Sequence, residues 1–214
     1  MKSARSGRPP KEEQRDARED LLKSAVHRFA KHGFGKGALA DIAGDAGVSI
    51  GMVRHYFGSK DGLIEQCNRA VTDELGEIFR NILDGDLPGD GAEFIDEMQR
   101  RTTAELQGKV HLLYYLKHLS IDQPEASMAV FSDYFQLLQS ELNRLEAVGH
   151  LRKGANKVWL TFHLMFMQMG PVYLSEQIEA IVGAPAHSPL AIRERGNENA
   201  HILKFGVLAK GDRR

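Results

Sequence analysis

The sequence predicts an all-α protein. Apolar residues recur at spacings of three and four along most of the chain, no segment alternates apolar and polar residues over six positions with β-branched enrichment, and glycine or proline punctuates the helical runs. The 214 residues are 42% apolar and 27% charged, the balance of a folded globular protein long enough to bury a sizeable core.

Each element follows in order. "REDLLKSAVHRFAKHG" places Leu21, Leu22, Ala25 and Phe29 on one face and stops at Gly33, a natural C-terminal cap position. Two short helices are expected at about 39–46 and 49–56. A long one follows at 60–83, with Ser59 able to cap its first amides and Leu63, Ile64, Cys67, Val71, Leu75, Ile78 and Ile82 as its apolar stripe. It ends in "DGDLPGDG", the strongest linker in the chain. Beyond it, helices are expected near 91–107, 109–121, 124–147, 154–169, 171–183 and 190–209. The segment 124–147 is the clearest, with Pro124 at its start, Gly149 after its end, and Met128, Phe131, Phe135, Leu138, Leu142 and Leu145 as its stripe.

Composition narrows the function classes. No apolar run reaches 18 residues, and the basic start has no apolar segment behind it, so a secreted precursor or a membrane protein is not expected. The single Cys67 suits a reducing cytoplasm, where it reads as buried core unless exposure makes it a redox sensor. Net charge is −1, but residues 1–70 hold 13 Lys and Arg against 9 Asp and Glu. That excess of four lies in Lys2, Arg5, Arg8 and Lys11, so the basic signal is a terminal arm and not a broad patch.

The stretch "DIAGDAGVSIGMVRHYF" at 41–57 carries the strongest functional signal. A helix, a tight turn containing glycine, and a second short helix crossing the first make a helix-turn-helix unit. Ala43 and Ala46 are small where the helices approach, Gly47 accepts the positive φ of the turn, Ile42, Val48 and Val53 fill the space between, and Ser49 suits the N-cap of the second helix. With Val53 and Phe57 pointing inward, Ile50, Gly51, Met52, Arg54 and His55 fall on the outer surface or its edges. A DNA major groove accounts for them: apolar side chains touch thymine methyls and Arg54 forks onto guanine.

From about Arg18 to Ala70 the chain resembles the N-terminal domain of TetR/AcrR-type transcriptional regulators. The resemblance rests on "FA..G" ending the first helix, "DIA..AGVS.G" through the turn, and "HYF.SK..L" leading into the fourth helix. It implies a homodimeric repressor with a helical C-terminal domain that binds a small ligand and thereby lowers operator affinity. It also implies that Tyr56 and Lys60 contact backbone phosphates, and that the last two helices of each subunit form a four-helix bundle across a two-fold axis. Gly37 and Ala38 stand where family members often carry Thr or Ser, and Ile50 and Arg54 where many carry Lys and Tyr, so the base preference does not transfer by analogy.

The arm "RSGRPPK" suits an A·T-rich minor groove through Arg5 and Arg8; a solubilising tail is the competing reading. In the second part of the chain, aromatic and methionine residues accompany a few polar ones, as a small-molecule site requires. Arg101, Tyr115, His118, Phe131, Phe135, His163 and Met167 are the candidate ligand-binding residues, with core packing as the alternative for each. "VWLTFHLMFMQMG" and "ENAHILKFGVLA" are apolar over more of their circumference than one core contact needs, which suits a dimer.

No metal, catalytic or cofactor motif appears: there is no HExxH, GxGxxG, P-loop or GxSxG, and Asp41 and Asp45 read as solvated charge. The expected organisation is a basic arm at 1–15, a three-helix helix-turn-helix DNA-binding domain at 16–60, and a helical ligand-binding and dimerisation domain at 61–214. Its partners would be a double-stranded DNA operator, an unknown small-molecule effector and a second copy of the chain, with no enzyme activity, cofactor or membrane. Two alternatives stand beside this: a similar DNA binder without ligand response, and an all-α small-molecule binder or enzyme with a vestigial helix-turn-helix.

Overall fold

A computed structural model describes residues 11–36, 39–83 and 90–209. Among them the chain forms ten α-helices. A head comprises α1 (Lys11–Lys36), α2 (Leu39–Asp45), α3 (Ile50–Phe57) and the start of α4 (Lys60–Leu83). The body holds α5 (Gly91–Leu106), α6 (Val110–Asp122), α7 (Pro124–Ala147), α8 (Lys157–Tyr173), α9 (Ser175–Val182) and α10 (Pro189–Gly206). No described helix is long and apolar enough to cross a membrane.

The head is anchored by α1, which packs along α6 of the body. Leu21, Ala25 and Phe29 of α1, Leu63, Cys67, Val71 and Leu75 of α4, and Leu112, Tyr115 and Leu119 of α6 belong to one continuous core. Burying a side chain as large as Phe29 completely removes about 2–3 kcal/mol worth of apolar surface from water. Inside this core the Tyr115 hydroxyl donates to Asn68 Oδ1 at 2.6 Å, tying α6 to α4 where an unpaired hydroxyl would be costly. A second cluster joins α5, the end of α7 and α10 through Phe94, Ile95, Leu142, Leu145 and Ala200. It is closed by an isolated antiparallel bridge between Leu151 and Leu208.

Three boundaries differ from expectation. Helix α1 already runs from Lys11, so residues 11–15, expected in the arm, are helical. At Gly33 (φ 73°), where the helix was expected to stop, it kinks and resumes for one more turn to Lys36. Helix α8 continues through Pro171 to Tyr173 and breaks at Leu174. Proline removes one helical hydrogen bond there, yet Pro171 and Val172 are buried, and that packing holds the last turn in helical form.

Candidate nucleic-acid interface and ligand cavity

The turn between α2 and α3 is closed by two backbone hydrogen bonds. Val48 N–H donates to the Ala43 carbonyl at 2.9 Å and Gly47 N–H to the Gly44 carbonyl at 3.1 Å, with Gly47 at φ 68°. This is a Schellman ending, which needs a left-handed residue at the glycine position. It fixes the angle at which α3 leaves α2, while Ile42 and Val53, both fully buried, fill the crossing. Arg28 of α1 clamps α2 from behind, pairing with Asp41 at 2.7 Å and Asp45 at 2.6 Å. These two carboxylates are therefore not simply solvated as expected; their partner lies on the preceding helix.

At the far end of α3, Ser59 Oγ accepts from Gly62 N–H at 3.0 Å and opens α4 as anticipated. A Cβ at Gly62 would stand 2.2 Å from the Phe57 carbonyl oxygen, so only glycine lets α4 start this close to α3. Lys60 at the same corner donates to the Phe34 carbonyl at 2.7 Å, joining the ends of α1 and α4 and leaving two further N–H donors for a phosphate.

Ile50, Gly51, Arg54 and His55 are exposed on α3, with Ile50 46% accessible. Ser49 occupies the N-cap position in extended conformation, but its side chain makes no capping bond; its carbonyl accepts from Met52 N–H at 2.9 Å. Met52, expected on the outer surface or its edges, stands at the edge, half-buried against the core. The Tyr56 hydroxyl is covered and has no hydrogen-bond partner among the described residues, so reaching a phosphate requires its cover to shift. Arg5 and Arg8 lie outside the described residues.

In the body, an apolar cavity of about 120 Å³ opens among α4, α5, α6, α7, α8 and α10. Its walls include Phe79 and Ile82 of α4, Phe94 and Met98 of α5, Tyr134, Leu138 and Leu142 of α7, and Leu164 of α8. Phe79 and Tyr134 stack with ring centroids 3.9 Å apart. Polar atoms on the wall are few and mostly engaged. Glu141 accepts twice from Arg144 Nη1 (2.9 and 2.8 Å), and Thr102 donates to the Met98 carbonyl at 2.8 Å. The Gln168 amide has no hydrogen-bond partner among the described residues.

None of the seven candidate ligand residues from the sequence lines this cavity. Tyr115 is fully buried in the main core, and His118 packs on Gly33 at the α1–α6 contact. Arg101 pairs with Glu97 at 2.6 Å. Phe131 leans on the main core, and Met167 is half-buried. Phe135 and exposed His163 belong to an outer aromatic face, where Phe135 meets Phe162 at 5.0 Å and His163 meets Phe166 at 6.4 Å. That face continues through exposed Trp159 and Phe166, and α10 adds exposed Ile202 and Phe205. The cavity walls supplied by α4 and α5 had no local signal, since a residue lining a void and one lining a core share the same helical stripe.

Cys67 is fully buried, and burial pushes its thiol up to about 12. Without thiolate or access it cannot act as a redox sensor. Among the described residues, no group of three or more His, Cys, Asp or Glu is placed to hold a metal ion.

Comparison with known proteins agrees with this geometry. Residues 21–67 match the model for bacterial regulatory proteins of the tetR family. Over 55 residues, 26% of this chain and of the relative, the sequence is 46% identical to the HTH-type transcriptional regulatory protein RaaS of Mycobacterium tuberculosis. Over 143 residues, covering 67% of this chain and 62% of the relative, it is 25% identical to the HTH-type transcriptional repressor KstR2 of the same organism. These sequence matches thus span from about a quarter to under two thirds of the relatives' lengths. In fold the likeness covers most of the chain: a TetR transcriptional regulator from Chloroflexus aurantiacus superposes with a TM-score of 0.71, covering 92% of this chain and 98% of that one at 17% identity. Residues 21–67 are thus a helix-turn-helix DNA-binding unit of the tetR type, and the described helices as a whole share the fold of solved TetR regulators.

Proposed function

We propose that the protein is a homodimeric transcriptional repressor that reads DNA with α3 and is released when a small molecule enters the body cavity. The observation that carries this reading is the outward face of α3: Ile50, Arg54 and His55 stand exposed on a helix whose angle is locked at both ends. Arg54 reads guanine, Ile50 meets thymine methyls, and Lys60 and Tyr56 hold phosphates and set register without reading sequence. Arg5 and Arg8 reach the adjoining minor groove.

One recognition helix gives weak affinity, whereas two presented about 34–36 Å apart read both halves of a palindrome. The exposed aromatic and aliphatic face of α8 and α10 is the surface through which a second copy docks. Helix α4 connects the two functions. Its first turn carries Lys60, its last turns carry Phe79 and Ile82 on the cavity wall, and its 24 residues span about 36 Å. A ligand that favours one tilt of α4 changes head spacing, and by linkage operator DNA weakens ligand binding by the same factor.

Selection from a random duplex library followed by footprinting tests the proposal. The expected product is a palindrome with half-sites one helical turn, or a whole number of turns, apart, protected by two protomers. Enrichment of a single unpaired half-site would exclude the dimeric reading.

A further inference from the structure

Beside the apolar cavity lies a second, polar compartment between α5, α6 and α10, and the two share Thr102, Leu106, Leu113 and Gln168 as a common wall. Its polar lining is neutral apart from one cation: Gln99, Thr102, Thr103, Gln168, His187 and Asn199 surround Arg195, with no carboxylate. Arg195 is half-buried, donates to the Ala186 carbonyl at 2.8 Å, and has no acidic partner among the described residues. Burial lowers its pKa, and burial together with the Arg195 charge holds neighbouring His187 down to about 4, so His187 is neutral. The Tyr114 hydroxyl and His187 Nδ1 lie 3.0 Å apart. If the hydroxyl donates, the His187 Nε2 hydrogen becomes another free donor. Gly196 makes room for this arrangement, because a Cβ there would meet Gln99 Nε2 at 1.7 Å.

A cation partly withdrawn from water without a counter-charge is costly, and four of its five N–H donors have no partner among the described residues. The one carboxylate on the apolar side, Glu141, already accepts twice from Arg144. The charge left open across the two compartments is therefore positive and sits at one end. We infer that the effector is an amphipathic monoanion, with an apolar body in the cavity and an acidic head, a carboxylate or sulfonate, on Arg195 beyond Gln168. This rests on the ligand-release reading above and gives its ligand a chemical class.

A pair of probes with the same ring system tests it on the full-length protein: anilinonaphthalene sulfonate, which carries the acidic head, and phenylnaphthylamine, which lacks it. The sulfonate should bind the wild type about tenfold or more tightly than the amine, as a charge-assisted hydrogen bond provides. Arg195→Gln should bring that ratio near one with amine affinity unchanged, and Arg195→Lys should restore part of it, which separates lost charge from lost folding. Equal binding of both probes by the wild type, or equal weakening of both by Arg195→Gln, overturns the anionic class while leaving the cavity reading intact. Leu138→Trp fills the apolar cavity and should block both probes. Binding that persists in Leu138→Trp, or no binding by the wild type, overturns the cavity reading and the inference with it.

Discussion

In the head, the turn that positions Ile42, Val53 and Phe57 lies within a few residues of each of them. In the body, Tyr115 is held by Asn68, 47 residues away, and Tyr173 meets Ser120 across 53 residues. The turn of the head is thus specified by local chemistry, with Arg28 and Lys60 bracing it from other helices, and the body by long-range packing in which many apolar residues would serve. The difference explains how the turn keeps a fixed geometry while the body, packed from many interchangeable apolar residues, leaves a cavity among its helices.

The two regions nevertheless share one core, and the largest predicted effect tests that. Phe29→Ala should cost about 3–5 kcal/mol, and head and body should unfold in a single transition followed both by Trp159 fluorescence and by loss of DNA binding. Separate transitions would mean that the α1–α6 contact does not couple them. Next, Arg54→Ala should cost about 1–3 kcal/mol on the preferred operator and relax its sequence preference, with little change on random duplexes. Equal weakening on all DNA would make Arg54 a phosphate contact. Gly47→Ala places a Cβ at positive φ and should cost about 1–2 kcal/mol, measured by denaturant titration, with operator affinity falling more than ligand affinity.

The smallest effect is a pH dependence localised to the body. His187 sits at about 4 in the folded chain against 6.5 when unperturbed, so between those values the unfolded state binds the extra proton. Stability is fully present above about 6.5 and declines as pH falls toward about 4. His111 and His118, lowered chiefly by burial, act in the same direction. Thermal melts of His187→Gln should show a shallower decline over this range than the wild type, and an unchanged slope would remove His187 from the effect.

What was legible in the sequence follows the same division. Helices α2, α3 and α4, expected at 39–46, 49–56 and 60–83, stand at Leu39–Asp45, Ile50–Phe57 and Lys60–Leu83, because glycine and serine mark their ends. The body helix α7 was equally clear between Pro124 and Gly149, but Pro171 misled, since burial outweighed its helix-breaking tendency. Within the head, the pairing of Asp41 and Asp45 with Arg28 is not legible in the sequence, because it depends on how α1 and α2 cross, which periodicity does not encode. The cavity was least legible. Its walls come from six helices, and the residues on them that the sequence marks, Ile82, Leu138, Leu142 and Leu145, read there only as helix stripes.

The claim on which the account turns is that α3 discriminates between base sequences. Fluorescence anisotropy of purified protein on its selected duplex, at low ionic strength and without effector, measures this against a scrambled duplex of equal composition. The account predicts a preference of about a thousandfold or more for the selected site. Equal affinity for the two duplexes would contradict it.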